Sequence, residues 1–168
     1  MPPLHLRPAA EPEFAAIENM MQFYMHDFSE WLPLPLENNG LFAVRPKAEY
    51  LARPGTLPYL ILAGEELAGF AVIDDEVHQR ESDYTLGYFF IARRFRGQGA
   101  GQAIVEELVR SFPGTWEIFH LKENLGAAQF WKKVVPRLSS GQFSCVEARI
   151  DDYDCTLYRF SSPQLCAR

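Results

Sequence analysis

The segment from Tyr84 to Gln102 carries most of the chemistry legible in this chain. An apolar, aromatic run, Tyr84-Thr-Leu-Gly-Tyr-Phe-Phe-Ile91, leads into Arg93, Arg94 and Arg96. Gly97-Gln-Gly-Ala-Gly101 follows, and then the helical pattern Ala103-Ile-Val-Glu-Glu-Leu-Val-Arg110. A strand, a glycine turn and a helix in that order suit a phosphorylated ligand. The turn and the helix N-terminus present backbone N–H groups that have no intrahelical partner, and the helix dipole adds partial positive charge. Glycine lets the backbone approach phosphate oxygens and adopt positive φ. The three arginines add full charges beside the same turn.

Proton transfer needs a titratable group, and the candidates are Tyr88, His120, Tyr24, His26 and Asp27. A neutral imidazole suits that task, which favours His120 near the end of a strand. Each candidate also has a plainer reading: Tyr88 as a core aromatic, His120 as a structural histidine. In Met20-Met-Gln-Phe-Tyr-Met-His-Asp-Phe-Ser-Glu-Trp31, the aromatics Tyr24, Phe28 and Trp31 stand with Asp27, Glu30 and, further on, Glu37. Aromatic faces with carboxylates suit an ammonium-bearing molecule through cation–π and ion-pair contacts. The plain alternative is a core stripe with a solvated acidic face.

These groups need elements to hold them. Residues 3–8 read as a short strand. Phe14, Ile17, Met20, Met21, Tyr24 and Phe28 follow helical spacing, which predicts a helix over 11–29. Prolines, asparagines and Gly40 then make a loop, and 46–53 reads as a short helix with Pro46 in its first turn. Residues 58–63 and 67–73 form a hairpin, and 74–83 is turn-like. Strand 84–91, the glycine turn and a helix over 99–112 follow. A strand over 116–121 comes next, then a helix opening at Asn124 and closed by Pro136. The last elements are strands over 143–150 and 155–160 around Asp-Asp-Tyr-Asp. The order predicts a mixed α/β chain, in which helices flank one sheet.

The chain has 168 residues, 48% of them apolar and 14% aromatic, which fits a single folded domain spanning 1–168. With 16 basic and 22 acidic residues the net charge is −6, unsuited to nucleic acid. Cys145, Cys155 and Cys166 are odd in number and lack Cys-x-x-Cys spacing, which argues for reduced thiols, no metal site and a cytoplasmic setting. No apolar stretch reads as a signal peptide or a membrane span. The alternating hairpin 143–160 offers an edge for a homodimer, or else completes the monomer's sheet.

Arg96-Gly-Gln-Gly-Ala-Gly101 is similar to the Gln/Arg-x-x-Gly-x-Gly/Ala diphosphate loop of the GCN5-related N-acetyltransferases (GNAT), and Asn124-Leu-Gly-Ala-Ala-Gln-Phe-Trp131 resembles their second acyl-CoA motif. Ile91 stands where that family ends its fourth strand, and the element order agrees over about residues 3–160. The Tyr24-x-x-Asp27-x-Ser29-Glu30 stretch further resembles a bacterial subgroup of that family. The resemblance implies an α+β fold: a mixed, mostly antiparallel sheet of about seven strands, about four flanking helices, and a splay between the fourth and fifth strands. It also implies acetyl-CoA as co-substrate and direct attack by the amine of a small molecule or peptide. Phe89, Phe90 and Ile91 would contact the pantetheine arm, with Arg96, Gly97, Gln98, Gly99, Ala100 and Gly101 at the diphosphate and Asn124 and Phe130 lining the arm. Tyr24, Asp27 and Trp31 would form the acceptor wall.

Two departures from the family pattern bear on the chemistry. Trp131 occupies the place of the family's usual tyrosine acid, and an indole N–H hydrogen-bonds without acting as an acid. Strand 84–91 carries no carboxylate base. Tyr88 and His120 are therefore the catalytic candidates, and a non-catalytic acyl-CoA-binding module is the alternative. A dinucleotide fold is disfavoured because Gln102 stands where that fingerprint has its third small residue.

Overall fold

In the computed structural model, which describes residues 2–43, 47–79, 81–97 and 99–162, seven strands and four helices follow one another. They are β1 (Leu4–Pro8), α1 (Phe14–Phe28), α2 (Ala48–Leu51), β2 (Leu57–Ala63), β3 (Glu66–Asp74), β4 (Tyr84–Ile91), α3 (Ala100–Ser111), β5 (Thr115–Leu121), α4 (Leu125–Leu138), β6 (Phe143–Ile150) and β7 (Tyr153–Ser161). Short 3₁₀ turns occupy Glu11–Glu13 and Arg93–Phe95. The strands order as β1-β2-β3-β4-β5-β7-β6. β1 with β2, β5 with β7 and β6 with β7 are antiparallel, whereas β4 and β5 are parallel through Tyr84–Trp116 and Thr85–Glu117. The mixed, mostly antiparallel sheet with helices is the class that the sequence implied. Pro46 and Gln98 lie outside the described residues.

The chain divides into two compact units, Met1–Val72 with Tyr88–Arg96 and Ile73–Gly87 with Gly97–Arg168. In the first, α1 buries Phe14, Ile17 and Met21, spaced one helical face apart, against Leu51, Leu60, Phe70, Val72 and Phe90. The helix start is tied to β1: Nη1 and Nη2 of Arg7 donate to Glu13, at 2.9 and 2.6 Å, while the Ala10 N–H donates to the same carboxylate at 2.9 Å. Gln22 grips the loop that follows α1 by donating to the Phe42 carbonyl at 3.1 Å and accepting from the Phe42 N–H at 2.9 Å.

In the second unit, α3 buries Ile104, Val105, Leu108 and Val109, and α4 buries Trp131, Val134, Val135 and Leu138. Trp116 is fully buried at the start of β5 and donates its indole N–H to the Phe112 carbonyl at 2.9 Å. Two local expectations need correction. Pro136 does not close α4 but lies within it, because only the last turn of the helix lies beyond its missing N–H. The chain breaks out at Ser140 and Gly141, both at positive φ, with the Gly141 N–H returning to the Pro136 carbonyl. The final hairpin turns on Asp151 and Asp152 alone, both left-handed as a two-residue turn of the primed type demands, so Tyr153 and Asp154 belong to β7.

Candidate functional site

An aromatic wall is built where α1 and the end of β4 meet in the first unit. Tyr24 stacks on Phe28 at 4.4 Å between ring centroids and meets Tyr88 edge-on at 5.7 Å. Phe28 meets Trp31 edge-on at 6.0 Å, and Tyr50 of α2 meets Tyr88 at 6.2 Å. Helical spacing puts Tyr24 and Phe28 one turn apart on one face, and strand alternation turns Tyr88 toward them. Burial, with a smaller effect of the neighbouring Tyr88, pushes the Tyr24 hydroxyl well above the usual tyrosine range, so it stays protonated and acts only as a neutral hydrogen-bonding group.

Asp27 does not present a free carboxylate beside that wall. Its Oδ1 accepts from Arg93 at 2.8 Å and its Oδ2 from Arg96 at 2.7 Å. Burial raises the Asp27 pKa, but the hydrogen bonds from Arg96 and Arg93 outweigh it and hold the carboxyl below its ordinary range. Arg96 also donates its Nε to the Ile91 carbonyl at 2.6 Å, and its guanidinium carbon lies 5.6 Å from the centre of the Phe90 ring. Arg94 pairs instead with Glu66 at 2.6 Å. The backbone of β4 at Phe90 and Ile91 runs against Gly69 of β3, and the Ala92 N–H closes that contact on the Ala68 carbonyl at 2.8 Å.

In the second unit, Gly97 and Gly99 take positive φ values of 93° and 80° and open α3, with Gly99 as its N-cap in the left-handed region. A Cβ on either glycine would meet nothing within 4 Å, so glycine is required there by conformation and not by crowding. One expectation is modified: the Ala100 N–H is not free but closes the turn on the Gly97 carbonyl at 3.1 Å.

His120 is buried at 7% exposure on β5. Its Nδ1 is 2.8 Å from the Leu121 carbonyl oxygen. A carbonyl only accepts, so Nδ1 carries the proton, and in the neutral tautomer that fits this contact Nε2 is the lone-pair acceptor. That Nε2 is buried and has no hydrogen-bond partner among the described residues. An unmatched buried acceptor costs about 1–3 kcal/mol, which singles the atom out from an ordinary structural histidine.

The second motif is placed at α4. Asn124 is its N-cap, and the side-chain oxygen accepts from the Ala127 N–H at 2.9 Å, so this residue shapes the helix start through its own side chain. Phe130 is half-buried and meets the buried Trp131 edge-on at 4.7 Å, which places Trp131 in packing.

Tyr24, Asp27, Trp31, Tyr88, Phe89, Phe90, Ile91 and Arg96 thus belong to one unit, and Gly97, Gly99, Ala100, Gly101, His120, Asn124 and Phe130 to the other. Sequence reasoning missed Glu117, a carboxylate at 0% exposure on β5. It accepts from the His78 N–H at 2.8 Å, the Gln79 N–H at 2.6 Å and the Ser82 hydroxyl at 2.8 Å, and Arg159 donates to that hydroxyl in turn at 3.2 Å. Its oxygens fix the β3–β4 connection and are taken up in doing so. The available signal was a lone acid inside the apolar run Trp116-Glu-Ile-Phe. Among the described residues no group of three metal-ligating side chains converges.

A family model described as the acetyltransferase (GNAT) family matches residues 17–135. Comparison with curated protein sequences gives no match. Among solved structures, the chain is similar to an acetyltransferase from Thermus thermophilus, at 16% identity and a TM-score of 0.63, over 95% of this chain and 97% of that one. It is similar to the ribosomal-protein-S18-alanine N-acetyltransferase from Escherichia coli at 15% identity and a TM-score of 0.59, over 98% and 99% of the two chains. It is also similar to Arabidopsis thaliana NAA60 in complex with acetyl-CoA, at 14% identity and a TM-score of 0.61, over 94% and 98%. Likeness at such identities establishes the fold.

Proposed function

Because the chain belongs to the acetyltransferase (GNAT) family, we propose that it transfers an acetyl group from acetyl-CoA to the amine of a small molecule or peptide. The observation that carries this reading is the turn at the start of α3, where Gly97 and Gly99 hold the positive φ values that bring a backbone and a helix N-terminus to a diphosphate. Gly97 to Gly101 and Arg96 take the diphosphate. Phe89, Phe90 and Ile91 run along the pantetheine arm, as do Phe130 and the Asn124 that caps its helix.

The acceptor is met by Tyr24, Trp31 and Tyr88. With both oxygens of Asp27 committed to arginines, aromatic faces and not a free carboxylate receive the amine. In the reaction the amine nitrogen attacks the thioester carbonyl, the C–S bond breaks, and the thiolate leaves with CoA. The amine proton goes to a base, for which the lone pair on His120 Nε2 is suited, and the thiolate gains a proton, for which the Tyr88 hydroxyl is the candidate donor. Among the described residues no helix is long and apolar enough to cross a membrane, and the cytoplasm is where we place the reaction.

The test is thermal unfolding with and without millimolar acetyl-CoA, CoA and NAD, followed by thiol release over a panel of amines. Ligand at about 100 times its dissociation constant adds roughly 2.7 kcal/mol, a shift of a few degrees. Stabilisation by acetyl-CoA and CoA but not by NAD, with amine-dependent thiol release, is expected. No shift with either thioester or thiol would remove the reading.

A further inference from the structure

We propose that Asp27 is a positioning residue of the diphosphate site: it holds Arg93 and Arg96 side by side so that one anion meets both guanidinium groups. The inference rests on the acetyl-CoA reading above and assigns Asp27 to the donor instead of the acceptor. Two like charges do not share a small volume without a counter-charge between them. Asp27 supplies it from α1, giving one carboxylate oxygen to each arginine.

The exposures show which of these groups faces outward. Asp27 is the least exposed, at 22%, whereas Arg96 is exposed to 44% and Arg93 to 76%. Arg96 is held at three places, the Ile91 carbonyl, the Phe90 ring and Asp27. A guanidinium has five N–H donors, and among the described residues the bonds of Arg96 use Nε and Nη2, which leaves Nη1 as a donor for another acceptor. The triad as a whole carries one net positive charge, and its two arginines stand four and one residues before Gly97 in the chain. A braced pair of guanidiniums whose outer sides are exposed suits a diphosphate, which presents acceptors on two adjacent centres.

Two effects of Asp27 on an anion oppose each other. Its own negative charge weakens attraction, and its bracing spares the ligand the ordering of two long side chains. The first is reduced by distance, since Asp27 lies behind the two arginines and the anion meets their exposed sides. The second grows with each side chain fixed, and two are fixed here, so bracing wins.

The experiment is calorimetric titration of CoA and of dephospho-CoA into the wild-type protein, Asp27→Asn, Asp27→Glu and Glu66→Gln, with the unliganded melting temperature of each as a check on folding. Glu66→Gln removes the same charge from the neighbouring Arg94 pair. Asp27→Asn is expected to bind CoA about tenfold more weakly and with a steeper salt dependence. Asp27→Glu should recover part of the loss, and Glu66→Gln should bind as tightly as the wild type or more so. The same loss is expected with dephospho-CoA, which keeps the diphosphate and lacks the 3′-phosphate. Equal or tighter binding of CoA by Asp27→Asn, or a loss that vanishes with dephospho-CoA, would overturn the role of Asp27 alone. No binding of CoA by the wild-type protein would overturn the acetyl-CoA reading and this inference with it.

Discussion

Gly69 of β3 lies so close to the carbonyl of Phe90 that a Cβ at residue 69 would overlap that oxygen and stand 3.0 Å from the Ile91 Cα. Both contacts are to backbone, so no rotamer change relieves them. The approach sets the path of β4 at the residues assigned to the pantetheine arm.

Gly69→Ala is therefore expected to destabilise the protein by about 3 kcal/mol or more, at the top of the range for overpacking, or to abolish soluble expression. Gly40→Ala is the comparison, since a Cβ there meets nothing within 4 Å and only the positive φ of 79° is strained. That strain costs about 1–2 kcal/mol. Urea unfolding of the two variants separates the cases; equal midpoints would mean that β3 and β4 do not approach as described.

Glu117 calls for a different kind of measurement, because its acceptors bind two backbone N–H groups that report directly. Glu117→Ala leaves the His78 and Gln79 amides and the Ser82 hydroxyl without their acceptor. The expected cost is about 3 kcal/mol, with part recovered where the connection opens to water. Hydrogen exchange at the amides of His78 and Gln79 should accelerate at least a hundredfold while amides in β1 and β2 are unaffected. Unchanged protection at both amides would show that the carboxylate does not hold that connection.

The local parts of this architecture were readable because their signals are local. The turn before α3 announces itself through Gly97, Gly99 and Gly101, and α1 through apolar residues on one face. Asp27 was visible as an acid beside aromatics, but its partners Arg93 and Arg96 are 66 and 69 residues away, and no pattern in the sequence pairs them. The same holds for Gly69, whose neighbour is on another strand, and for Glu117, whose donors are 35 to 39 residues away. Pro136 misled for a physical reason: proline removes a single helical hydrogen bond, the one to the Lys132 carbonyl, and with only Arg137 and Leu138 still to come that loss does not stop the helix.

The Arg7–Glu13 pair makes a pH dependence that can be followed at one residue. Hydrogen bonds from Arg7, then the Ala10 N–H, lower the Glu13 carboxyl to about 2 against a smaller opposing effect of burial. A carboxyl depressed in the folded state stabilises above its unfolded pKa, and that stabilisation is lost as pH falls through the folded value. The contribution should be complete above the usual glutamate range and fade between about 4 and 2. Carbon-detected NMR titration is expected to place Glu13 near the lower figure, and Glu13→Gln should remove this part of the acid sensitivity. A midpoint near the ordinary glutamate value would mean that the bidentate pair does not persist in solution.

The assignment of proton transfer to His120 and Tyr88 can be tested with substitutions that separate geometry from chemistry. The Nδ1–H of His120 holds the Leu121 carbonyl, and an asparagine amide reaches that same carbonyl, so His120→Asn keeps the anchor and deletes only the Nε2 lone pair. If Nε2 accepts the amine proton, His120→Asn should lower kcat/KM by about 10²–10⁴, with CoA affinity unchanged. Tyr88→Phe keeps both ring contacts, to Tyr24 and to Tyr50, and removes the hydroxyl. A fall in kcat at constant KM for acetyl-CoA is expected if that hydroxyl protonates the departing thiolate. Turnover by His120→Asn within twofold of wild type would strike His120 from the mechanism. The same result with Tyr88→Phe would leave Tyr88 a packing residue of the α1 wall, with solvent protonating the thiolate.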